Sequence, residues 1–114
     1  MNSPQTSAPH TPGVVLVTVG SEAEAQDLGH YLVETHLAAC VSLMPLQSIY
    51  RWQGEVQRDQ EWQLVIKTDL NRFEDLSVAI RQRHTYDLPE IIALPITQGL
   101  PDYLQWMLAE TRPS

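Results

Sequence analysis

The alternation of hydrophobic and polar positions changes period several times along the chain, and each change marks an element. Val14-Val15-Leu16-Val17-Thr18-Val19 is a nearly continuous β-branched run, the pattern of a strand buried on both faces or in mid-sheet. Ser21, with Glu24 three residues on, forms a capping-box pattern just after Gly20 and predicts a helix start. In that helix Ala25, Leu28, Leu32 and Leu37, with Val33, recur at helical spacing as the buried stripe, while Glu22, Asp27 and Glu34 fall off it.

From Ala38 to Thr68 the period becomes two. Ala38 to Gln53 and Glu55 to Thr68 read as two long strands folded back at Gly54, with Trp62, Leu64 and Ile66 on one face and Gln63, Val65 and Lys67 on the other. Arms of about fifteen residues make a hairpin on the order of 50 Å long, whereas a domain of this size should have a radius of gyration of about 13–14 Å. The hairpin is therefore expected to bend, to overhang its own domain, or both. Pro45 lacks the N–H of a central ladder and is the expected place for a bulge or break. An overhanging arm that carries Ile49, Tyr50, Trp52 and Trp62 exposes apolar surface that another chain is expected to cover.

After the hairpin, Asn71 and Glu74 repeat the cap logic and predict a second helix with Phe73, Leu76, Ala79 and Ile80 on its apolar side. Arg81 and Arg83 near its end suit the helix dipole. Ile91 to Ile96 reads as a strand, with Pro95 at its end or on a sheet edge. Pro101 opens a last helix through Glu110, with Tyr103, Leu104, Met107 and Leu108 turned inward. The order is β, α, β-hairpin, α, β and a terminal helix. With the first strand central and right-handed crossovers, this is an α+β, ferredoxin-like βαββαβ sandwich with a long β-hairpin and an extra C-terminal helix.

Composition narrows the function. At 114 residues there is room for one domain, expected over residues 13–112, with residues 1–12, which hold three prolines, as a disordered tail. A formal charge of −7 argues against a broad grip on nucleic acid, fits a soluble cytoplasmic protein, and favours cations as ligands. The single cysteine, Cys40, forms no intrachain disulfide and on its own reads as a small buried apolar residue. No run is long enough to span a membrane, and the first residues lack the basic start and apolar core of a secretory signal.

Several stretches together resemble the CutA family of divalent-cation tolerance proteins. They are Ala38-Ala39-Cys40, Ser48-Ile49-Tyr50-Arg51-Trp52-Gln53-Gly54, Ile66-Lys67-Thr68, His84-Thr85-Tyr86-Asp87-Leu88-Pro89-Glu90-Ile91 and Tyr103-Leu104-Gln105-Trp106. The resemblance spans roughly Val14 to Ala109. It implies a homotrimer akin in architecture to PII signalling proteins, with hairpins paired between subunits, and a role in the response to divalent metals, copper above all. Two departures stand out. The family's His-Pro-Tyr-Glu is His84-Thr85-Tyr86-Asp87 here, and the first strand, which carries copper-binding cysteines in some members, reads Val17-Thr18-Val19.

Three chemistries follow as expectations. Cys40, His84 and Glu90, with Asp87 as a further oxygen donor, are a candidate set for Cu(II), Zn(II) or another divalent cation, since thiolate and imidazole together suit those ions. Tyr50, Trp52, Lys67, His84, Tyr86, Asp87 and Glu90 are candidates to line an intersubunit cleft for a small metabolite. Catalysis has no support: there is no glycine-rich phosphate loop, and Cys40 with His84 lacks an orienting third group and an oxyanion motif. The chain is read as a binding or regulatory protein, not an enzyme, with no required cofactor.

Overall fold

The computed structural model describes residues 10–112. Among them the order is β1 (Pro12–Val19), α1 (Glu22–Glu34), β2 (Cys40–Trp52), β3 (Glu55–Asp69), a 3-10 turn (Leu70–Arg72), α2 (Phe73–Arg83), β4 (Ile91–Pro95) and α3 (Pro101–Glu110). The four strands form one antiparallel sheet in the order β2-β3-β1-β4, the ferredoxin-like arrangement that the sequence predicts. None of the described helices is long and apolar enough to cross a membrane.

The period-two pattern decides which face of the sheet is covered. Val15, Val17 and Val19 of β1 and Leu64 and Ile66 of β3 are fully buried against Leu28 and Leu32 of α1 and Leu76 and Ile80 of α2. Val33 stays 40% exposed, because the stripe of α1 is completed by Gly29, which lies against Val41 and Leu43. Leu37 is buried beyond the helix, after His36 has turned the chain through the left-handed region (φ 62°). Leu37 N–H to Leu32 O and His36 N–H to Val33 O close α1 in a Schellman arrangement.

Three local expectations are corrected. Pro45 causes no bulge or break: β2 runs unbroken with Pro45 opposite Trp62, because β2 is the sheet edge, where a missing N–H leaves no ladder bond unmade. The cap position of α2 is Arg72, one residue beyond Asn71, because a 3-10 turn precedes the helix, opened by Asp69, which accepts from Asn71 N–H at 3.0 Å. In α3 Met107 is fully buried, whereas Tyr103 and Trp106 remain about two-fifths exposed.

Residues 1–9 of the expected tail lie outside the described residues, but the folded part reaches back to His10. Its ring nitrogen lies 2.8 Å from the buried Asp69 carboxylate, which also accepts from Thr11 N–H at 3.1 Å.

The hairpin does overhang. Its arms pair without a gap from Cys40 opposite Lys67 to Trp52 opposite Glu55, and the molecule measures 57 × 26 × 24 Å with a radius of gyration of 15.6 Å. The tip is a two-residue turn, Gln53 (φ 52°) and Gly54 (φ 83°). Positive φ at both positions is the geometry whose twist matches that of the strands.

Candidate functional site

A cleft of about 660 Å³ opens where the hairpin leaves the body of the domain. Pairing of Ser48 with Asp59, Leu46 with Glu61 and Tyr50 with Gln57 places Ser48, Tyr50, Trp52, Asp59 and Glu61 on one face of the hairpin. This wall faces Thr18 of β1 and the segment between α2 and β4, which contributes Tyr86, Asp87, Leu88 and Glu90.

His84 holds that segment in place. The pairing of β4 with β1 ends at Val17 and Ile91, so on that edge the Thr18 carbonyl has no strand partner. The His84 side chain, fully buried, supplies one through Nε2 at 2.7 Å. Its Nδ1 accepts from Tyr86 N–H at 3.0 Å. Since an amide N–H can only donate, the ring is neutral with its hydrogen on Nε2. Glu24 Oε2 lies 4.0 Å from Nδ1 and forms no ion pair while Nδ1 acts as an acceptor. The Glu24 carboxylate accepts from the Thr85 hydroxyl at 3.3–3.4 Å. Of the predicted capping box, the half in which Ser21 Oγ accepts from Glu24 N–H is present, at 3.1 Å.

Tyr86 packs against His84 with the rings tilted at 54° and their centroids 4.8 Å apart, and its hydroxyl donates to Glu61 Oε2 at 2.8 Å. Burial, then that hydrogen bond, pushes its phenol well above the ordinary tyrosine range. The Tyr50 hydroxyl donates to Asp59 Oδ2, which raises that phenol as well. Glu90 is raised by partial burial and then by the Glu61 charge nearby. Glu61 itself is only 7% exposed. Four carboxylates thus line one cleft, and among the described residues no Lys or Arg stands in its walls.

Of the predicted cleft residues, Tyr50, Trp52, Tyr86, Asp87 and Glu90 meet here. His84 stands behind the wall. Lys67 is elsewhere: its Nζ approaches the Tyr103 hydroxyl at 3.4 Å. Lys67 is six residues along β3 from Glu61, on the order of 20 Å at about 3.3 Å per residue. Cys40 sits opposite Lys67, partly buried and outside the core cluster, so its reading as a core residue is corrected too.

The trio Cys40, His84 and Glu90 is not gathered within one chain. Cys40 is at the far end of the sheet, both nitrogens of His84 are taken by backbone groups, and no three His, Cys, Asp or Glu side chains converge among the described residues. Sequence reasoning missed Thr18, Asp59 and Glu61. The period-two face already puts Glu61 in line with Gln63, but its burial comes from the distant Tyr86 segment folding over it.

Comparison with known proteins agrees with this architecture. The family model described as CutA1 divalent ion tolerance protein matches residues 13–110. The Divalent-cation tolerance protein CutA of Thermus thermophilus is 50% identical over 99 residues, covering 86% of this chain and 96% of that protein. A solved structure of the Thermus thermophilus divalent cation tolerance protein superposes with a TM-score of 0.86 at 48% identity, covering 89% of this chain and 99% of that one. A structure described as the PII-like protein CutA from Nostoc sp. PCC 7120 in apo form gives a TM-score of 0.83 at 31% identity, covering 90% of this chain and 99% of that one. The four-stranded sheet, the overhanging hairpin and these matches lead to one conclusion: this chain belongs to the CutA1 divalent ion tolerance protein family.

Proposed function

We propose that the chain is a cytoplasmic regulatory binding protein of the divalent-cation-tolerance kind, which works as a homotrimer, takes a small ligand in the cleft at the base of its hairpin, and catalyses no reaction. The observation that carries this reading is the cleft itself, a concave site with aromatic walls and a few placed polar groups, the common form of a ligand site. The trimer is supported by the exposed apolar residues of the hairpin, Ile49, Tyr50, Trp52 and Val56, and by Ile92 and Leu94 on the edge strand β4. The absence of catalysis is supported by the separation of Cys40 from His84 and by phenols held in their protonated form.

Direct capture of Cu(II) by Cys40, His84 and Glu90 has less support, because His84 has no free nitrogen and Cys40 lies at the other end of the sheet. Sedimentation and thermal melts in the presence of a metabolite library and of Cu(II) and Zn(II) separate these readings. A mass three times the 12.9 kDa chain, with a ligand-induced rise in Tm that Trp52→Ala removes while the trimer persists, is the expected outcome. A monomer, or a Cu(II) response lost in Cys40→Ser and His84→Ala but kept in Trp52→Ala, would overturn it.

A further inference from the structure

The third helix is attached to the fold differently from the other two. α1 buries Ala25, Leu28, Gly29 and Leu32, and α2 buries Leu76, Ala79 and Ile80, and all of these but Gly29 belong to the central core cluster. α3 buries Met107 alone and, among the described residues, adds nothing to that cluster. It lies across the opposite face of the sheet. Tyr103 meets Lys67, and Lys67, paired with Val14, alternates along β3 with the inward Ile66. One fully buried side chain is a small apolar seat for a helix of ten residues.

Polar contacts concentrate instead at its C-terminal end. The last carbonyls of a helix have no partner within it, and α3 has no side-chain cap at its start and no basic residue in its last turn. Two groups from elsewhere meet those carbonyls. Arg72, at the start of α2, donates through Nη1 to Thr111 O at 2.9 Å and to His36 O at 3.2 Å. His36, just past the end of α1, donates from Nδ1 to Glu110 O at 3.0 Å, since a carbonyl can only accept. The buried Thr111 hydroxyl donates back to Met107 O at 2.9 Å. The guanidinium thus bridges the negative ends of α1 and α3, and with Asp75 no closer than 3.7 Å the two carbonyls take its hydrogen bonds.

We propose that α3 is a hinged flap, latched by Arg72 and His36, which opens on residues 96–100 while the sheet and the other two helices stay folded, and that opening uncovers Lys67 and the outer face of β1 and β3. Residues 96–100 are neither helix nor strand. Segments with few buried apolar contacts open at lower free energy than the core, and the closed position of α3 is set by hydrogen bonds at one end.

The test is native-state hydrogen exchange of the full chain in low urea, read on peptides from α3 and from β1. In the wild type α3 is expected to exchange faster than β1, at a rate that urea hardly changes. Arg72→Ala should speed α3 by a further factor on the order of ten or more and leave β1 unchanged. Arg72→Lys should fall between, because it keeps the charge and loses the planar fork. Lys67 should also react faster with an amine-acylating reagent in Arg72→Ala. Arg83→Ala, which removes the guanidinium lying 3.4 Å from the centre of the Tyr31 ring on α1, should change neither readout. Should Arg72→Ala fail to fold, His36→Asn, which keeps a residue tolerant of the positive φ there, is expected to give a smaller rise of the same kind.

A common exchange rate for α3 and β1 in the wild type would overturn the flap. A parallel rise of both in Arg72→Ala would overturn the latch, by making Arg72 a support of the whole fold. Protection of α3 that is lost on dilution in step with dissociation would overturn the proposal by making a second copy the clasp.

Discussion

The two halves of the hairpin share one alternating pattern and meet different fates. In the half nearest the domain, Leu64 and Ile66 are fully buried beneath α1 and α2, and Val41 and Leu43 pack against the same core. In the outer half, Ile49 is 64% and Val56 59% exposed, although the ladder continues to Trp52 and Glu55 without a gap. Backbone pairing alone therefore carries the strands past the point where side-chain burial ends. The contrast teaches that the inner half is held by the domain's own core, whereas the outer half depends on its turn, its cross-strand pairs and whatever covers it.

The sharpest way to break this comparison is a pair of truncations. Leu64→Ala is expected to destabilise the protein by about 2–5 kcal/mol, read by urea denaturation. Val56→Ala should leave the unfolding of the dissociated chain almost unchanged and instead weaken the proposed association, read by sedimentation over a concentration series. If both act equally on unfolding, the outer half is part of the core after all.

Next in size is His84→Ala, which strips the Thr18 carbonyl and the Tyr86 N–H of their partner at about 1–3 kcal/mol. Hydrogen exchange of the segment around Tyr86 should rise more than that of β1. Uniform loosening would show that His84 is only a packing residue. Gly54→Ala is expected to cost about 1–2 kcal/mol, since φ is 83° there, with the loss in melting temperature accompanied by fraying of the outer half alone.

The smallest effect depends on pH. The Glu90 acid is raised in the folded state, so between its unfolded and folded values the native protein holds more protons and stability falls as pH rises. Glu90→Gln is therefore expected to melt slightly higher than the wild type at pH 7, with the gap closing as the pH falls through the ordinary glutamate range and Glu90 becomes protonated in both states. A constant gap across that range would remove the charge explanation.

Much of the fold can be read in the chain. The β-branched run of β1, the period of two in β3 and the apolar stripes of the helices are local signals that survive into the structure. What misleads is also local. The helix start read at Asn71 falls inside a 3-10 turn that Asp69 opens by accepting from Asn71 N–H, and Pro45 looks disruptive until the sheet order puts β2 on an edge. For the site, the sequence groups Tyr50, Trp52, Tyr86, Asp87 and Glu90, which do meet in the cleft, with Lys67 and Cys40, which belong to the opposite end of the sheet.

The amino-acid sequence by itself determined the elements, the side of the sheet that is buried, the length of the hairpin and the acidic balance, because these follow from periodicity, turn chemistry and composition. Only the tertiary structure decided that Glu61 is a buried acid, that His84 is a neutral pin with both nitrogens occupied, and that four carboxylates share one cleft. The reason is physical: burial, tautomer and countercharge are set by groups distant in sequence. Tyr86 reaches Glu61 across 25 positions and His84 reaches Thr18 across 66, distances over which no pattern of neighbouring residues carries information.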